Sequence, residues 1–118
     1  MSHLSNAFQT FLSEAPAHAA AWHAAVKGLD DASALDKKTE ELAYLAVLAA
    51  LGRTSGVPFH VASAQAHGAS REEIISAVLL GLPAAGSIVT QSLPVAVATY
   101  DEAASAAANN ADKVGGQE

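Results

Sequence analysis

The chain contains no cysteine, so its reactive side chains are His, Glu, Asp, Arg, Tyr and Ser. The informative ones stand at the edges of apolar segments, where loss of water shifts a pKa. Glu40 and Glu41 precede a run, Leu42 to Leu51, that is apolar apart from the hydroxyl of Tyr44. In a helix, Glu41 shares a stripe with Leu45, Leu48 and Gly52, and Glu40 shares one with Tyr44, Val47 and Leu51. Periodicity does not say which carboxylate points inward, and both suit a helix N-terminus through its dipole. His60 lies one turn into a segment opened by Pro58, on a face with Ala64 and His67. Such a His acts in proton transfer or is simply a core-edge His bonded to backbone. Arg53 follows Gly52 and stands out as an anion clamp in an acidic chain, or as a helix C-terminal cation. His67 reads as a residue of a last helical turn.

These groups suit acid–base work better than metal binding. His18 and His23 are five residues apart and fall on different faces. His60 and His67 share a face but stand about 10 Å apart along a helix axis, too far for one ion. No metal site and no cofactor are expected, and the glycine runs match neither a P-loop nor a dinucleotide fingerprint.

The elements that must position these residues are helices separated by punctuation. A short amphipathic helix is expected over Ser5 to Ser13, and a second from Pro16 to a stop at Gly28. Leu29 to Leu35 reads as a polar connection. Asp36 caps a helix from Lys37 to Leu51 that Gly52 ends. Apolar all round after its first turn, it is expected to be buried on every side. The Pro58 helix ends at Gly68, and Ser70-Arg71-Glu72-Glu73 forms a capping box for a helix running to Gly81. Pro83 opens a last long helix to about Ala107, kinked at Pro94. Residues 109–118 read as a disordered tail behind a single domain over 1–108.

Composition narrows the function. Among 118 residues there are six basic and twelve acidic side chains, a net charge of −6 that gives no footprint for nucleic acid. The hydrophobic fraction is 51% and the charged fraction only 15%, against an ordinary value of about 25%. So few charges cannot cover a monomer, and together with the apolar helix they point to an oligomer. About a quarter of the residues are Ala, which favours helix. Ile74 to Ala98 is uncharged and long enough to span a bilayer, but Pro83, Gly86, Gln91, Ser92 and Pro94 interrupt it, so no membrane span is expected. Without a secretory signal at Met1 to Asn6 or any disulfide, the expected location is the cytoplasm.

The run Leu35-Asp36-Lys37-Lys38-Thr39-Glu40-Glu41-Leu42, then an Ala-rich apolar helix, Gly52-Arg53, His60, Gly68-Ala69-Ser70-Arg71-Glu72-Glu73-Ile74 and Gly86 resembles the carboxymuconolactone decarboxylase family. That family includes the alkylhydroperoxidase-D branch. The resemblance covers roughly residues 29 to 100 and implies an all-α, alkylhydroperoxidase-D-like domain of about six helices, assembled as a trimer or hexamer. The peroxidase branch carries Cys-x-x-Cys-x-x-x-His, and aligning on His60 puts its cysteines at Arg53 and Gly56, so thiol peroxidase activity is not expected. The relay Glu of that branch falls on Glu41, so the resemblance selects Glu41 over Glu40. Gly52-Arg53 matches the decarboxylase branch at its spacing before the His. The family's Glu-Leu, Asn-Gly and Tyr-x-Gly-x-Pro elements are replaced by Gly56-Val57, His67-Gly68 and Ala84-Ala85-Gly86-Ser87-Ile88. The implied function is a cofactor-free lyase acting on a small lactone or carboxylic acid, with Glu41, Arg53 and His60 as site residues. The alternative is a Cys-less relative serving in binding or assembly.

Overall fold

The computed structural model describes residues 3–115. It is helical throughout, with no strand among the described residues. Its helices are α1 (Asn6–Glu14), α2 (Pro16–Ala32), α3 (Lys37–Leu51), α4 (Val57–Ala66), α5 (Arg71–Leu79), α6 (Leu82–Ala85) and α7 (Leu93–Gly115), with 3-10 turns at Thr54–Gly56 and Ser87–Ser92.

The first two helices form an arm. Ser5 caps α1 by accepting from the Phe8 N–H at 3.1 Å, and Pro16 occupies the start of α2, where its missing N–H costs nothing. Gly28 does not stop α2, which runs on to Ala32. Four of its nearest neighbours are Val26, Lys27, Leu29 and Asp30, and an exposed Lys27–Asp31 pair at 2.9 Å bridges the glycine. The expected polar connection therefore shrinks to four residues, 33–36. Ala19 is the only buried residue of α2, and Trp22, Val26 and Leu29 lie exposed along one face.

The remaining helices enclose the core. The Asp36 carboxylate accepts from the Thr39 N–H at 2.8 Å, and Gly52, at φ 69°, closes α3 in the left-handed conformation. Leu45, Leu48 and Ala49 of α3 meet Val57, Val61 and Ala64 of α4, Ile74 and Val78 of α5, Val89, and Ala96 of α7. All of these are buried. Burial of α3 on every side is not observed, because its Tyr44–Val47–Leu51 stripe faces outward. One chain has too few helices to cover both sides.

The C-terminal half departs from one long kinked helix. Pro83 opens only the four-residue α6, which ends at Gly86, whose φ 82° and ψ −162° suit glycine alone. A 3-10 segment follows, and Pro94 falls in the first turn of α7, where it introduces no kink. Residues 109–115 continue α7 where a tail is expected from sequence. The Ala-rich run from Ala103 to Ala108 carries the helix forward. Residues 116–118 of that expected tail lie outside the described residues. The uncharged stretch 74–98 is divided among α5, α6, a 3-10 turn and α7, and no described helix is long and apolar enough to cross a membrane.

Candidate functional site

The Asp36 cap fixes where α3 begins and so sets Glu41 in its second turn, on the inward stripe with Leu45 and Leu48. α4 packs across α3 through Val57, Val61 and Ala64, which brings His60 to the same place. Glu41 is 5% exposed. Its Oε2 lies 2.6 Å from the His60 Nδ1, and the His60 side chain keeps 22% of its surface in contact with solvent. The Glu41 Oε1 faces the Lys37 Nζ at 3.4 Å.

Burial pushes the Glu41 carboxyl up, but the hydrogen bond and charge of His60, helped by Lys37, outweigh it and hold the group below the ordinary carboxylate range. An ionised Glu41 has only lone pairs to offer, so the His60 Nδ1 carries a proton and donates it. That leaves Nε2 as the atom able to exchange a proton with a ligand. The Tyr44 ring lies over the imidazole, with centroids 4.3 Å apart and planes 34° apart, and the Phe59 ring meets it edge-on at 5.2 Å. Carboxylate, imidazole and two aromatic rings thus form a partly desolvated acid–base centre.

The three residues singled out from sequence are not all assembled. Glu41 and His60 meet. Arg53 does not join them: it is exposed, and its side chain has no partner among the described residues. Its backbone N–H closes the end of α3 on the Leu48 carbonyl at 2.9 Å. Glu40 makes no bond to His60, and the neighbouring Asp30 carboxyl pushes its own carboxyl up. His67 is exposed and bonds the Ser63 carbonyl at 2.7 Å, a local role at the end of α4. Sequence reasoning missed Tyr44, Phe59 and Lys37 as neighbours of the pair. Tyr44 and Lys37 stand three and four residues from Glu41, so helical spacing was their available signal. A separate groove of about 470 Å³ between α3 and α5, lined by residues such as Leu42, Ser76 and Leu80, contains neither Glu41 nor His60. Among the described residues no group of three or more His, Asp or Glu side chains is arranged to hold a metal ion.

A family model for the carboxymuconolactone decarboxylase family matches residues 16–98. The chain belongs to the carboxymuconolactone decarboxylase family. The match runs from the start of α2 into α7, and it includes Glu41, Arg53 and His60. Searches of the curated proteins and of the solved structures found no match. Within the carboxymuconolactone decarboxylase family the all-α fold is the expected one, and the Glu41–His60 pair is the part of this chain best placed for chemistry.

Proposed function

We propose that the protein is a cofactor-free enzyme of the carboxymuconolactone decarboxylase type, acting on a small lactone acid through Glu41 and His60. The observation that carries this reading is the 2.6 Å contact between a buried carboxylate and a partly exposed imidazole. An unsaturated lactone bearing a γ-carboxylate loses carbon dioxide when its C–C bond breaks and the electron pair passes into the conjugated lactone carbonyl. The resulting dienolate takes a proton on carbon. The His60 Nε2 supplies that proton, and solvent restores it. Glu41 fixes the tautomer by holding Nδ1–H and stabilises the charged ring. Arg53 is exposed and free to turn toward a substrate carboxylate.

A panel of lactone acids, followed by ultraviolet absorbance, tests the reading. His60→Ala abolishes turnover, and His67→Ala keeps most of it. Equal losses from the two, or turnover undiminished in His60→Ala, would reject it. Dithiol-dependent reduction of alkyl hydroperoxides is absent, because the chain has no cysteine to form a mixed disulfide.

A second reading, in which the protein serves in binding or assembly, draws on the uncovered apolar faces of α2 and α3. Both readings use a homo-oligomer, a trimer or a hexamer, in which subunits cover those faces.

A further inference from the structure

We propose that Lys37 is a positioning residue of the Glu41–His60 pair, holding the second oxygen of the Glu41 carboxylate and anchoring it to the end of α2 through Asp30. This inference rests on the reading of that pair as the reactive one.

Three observations support it. The two Glu41 oxygens have different partners: Oε2 accepts from His60 at 2.6 Å and Oε1 faces the Lys37 Nζ at 3.4 Å. A carboxylate held at one oxygen turns about a soft terminal torsion; held at both, it keeps one orientation toward the imidazole. Next, Lys37 occupies the first position of α3, where the helix dipole disfavours a cation. It also precedes Glu41 by four residues, the weaker order for such a pair on a helix. Local helix energetics therefore do not account for a lysine here. Finally, the Asp30 Oδ1 in the last turn of α2 holds the same ammonium at 3.3 Å, so the cation is gripped from two helices.

Lys38 provides the contrast. It stands in the same first turn, and its ammonium lies 2.9 Å from Glu73 of α5, a partly exposed capping residue with no bond to His60. The charged groups acting on Glu41 are thus Lys37 and Glu40 on its own helix and His60 on α4, with Asp30 of α2 reaching it only through Lys37.

The test is a carbon-13 titration of the Glu41 carboxyl in the full chain, assigned by its disappearance in Glu41→Gln. Lys37→Met and Lys37→Gln are expected to move the Glu41 midpoint upward, with circular dichroism unchanged. Lys37→Arg, which restores the charge, returns it. Lys38→Met, which deletes an equal charge from the same turn, leaves it in place. In Lys37→Met the His60 Nδ1 proton also exchanges faster with water, because its acceptor is no longer held. An unmoved midpoint in both Lys37→Met and Lys37→Gln overturns the proposal, as do equal shifts in Lys37→Met and Lys38→Met. A moved midpoint in an enzyme that does not need His60 would leave the role of Lys37 standing and remove the functional reading. An unmoved midpoint in an enzyme that does need His60 would do the reverse.

Discussion

Glu41 is an anion almost wholly withdrawn from water, and it stays ionised because His60 and Lys37 favour its charge more than burial opposes it. A carboxyl whose folded pKa lies below its unfolded value stabilises the fold above the unfolded value. That stability is lost as the pH falls through the folded one. The wild-type protein is therefore expected to lose stability as the pH drops below about 4.5, the ordinary glutamate value, and on down through the lowered one. Glu41→Gln lacks this titration. At neutral pH it is less stable by about 1.5–3 kcal/mol, the range for a hydrogen bond to a charged partner. Urea melts of both proteins from pH 7 to pH 3 check this, with the difference narrowing as the pH falls. A difference independent of pH would mean that Glu41 does not titrate as a paired carboxylate.

At the scale of elements, two glycines in helical stretches do opposite things. Gly52 ends α3 at φ 69°, and a Cβ there would meet the Ile88 Cδ1 at 3.1 Å. Gly52→Ala is expected to cost about 1–2 kcal/mol, the penalty of a left-handed alanine. Gly28 lies inside α2, and a Cβ there meets nothing within 4 Å. Gly28→Ala is expected to add about 0.4–1 kcal/mol, because it removes freedom from the unfolded chain at a helical position. Thermal or denaturant melts of the two variants should move in opposite directions. Side-chain caps set the starts of α1, α3 and α5: at α5, Ser70 and Glu73 satisfy each other's backbone N–H groups at 3.1 and 2.9 Å.

The whole molecule is extended for its length. Its radius of gyration is 16.0 Å, against about 13.5 Å for a compact chain of this size. The arm of α1 and α2 carries Trp22 at 57% and Leu29 at 74% exposure. The outer stripe of α3 adds Val47 at 53% and Leu51 at 64%. Surfaces of this kind call for a partner, and a second copy is the partner proposed above. Sedimentation at micromolar concentration should therefore show no stable monomer. Val47→Glu, placed on an exposed face, should release folded monomers with helical circular dichroism retained. A well-behaved wild-type monomer at that concentration would remove the oligomer from the account.

Local chemistry made most of the elements readable in the chain itself. Asp36 and Ser70 announce helix starts, Gly52 announces a stop, and the structure places all three where their side chains or φ values require. The all-α class follows from the same signals and from the excess of alanine. The ambiguous stretches were those in which local preferences compete. Gly28 looks like a stop until flanking helix formers and a side-chain pair carry α2 past it. Pro83 looks like the start of a long helix until Gly86 takes a backbone conformation that ends it. The site divides in the same way. Helical spacing confines the inward carboxylate to Glu40 or Glu41. Periodicity does not choose between them, because a period of 3.6 residues defines two faces without saying which meets a neighbour; the family resemblance points to Glu41, and the packing of α4 on one stripe of α3 sets that carboxylate against His60. The meeting of Glu41 with His60, nineteen residues away, belongs to tertiary structure for the same reason. Spacing along a chain sets the face of a helix, and the crossing of two helices sets which faces touch.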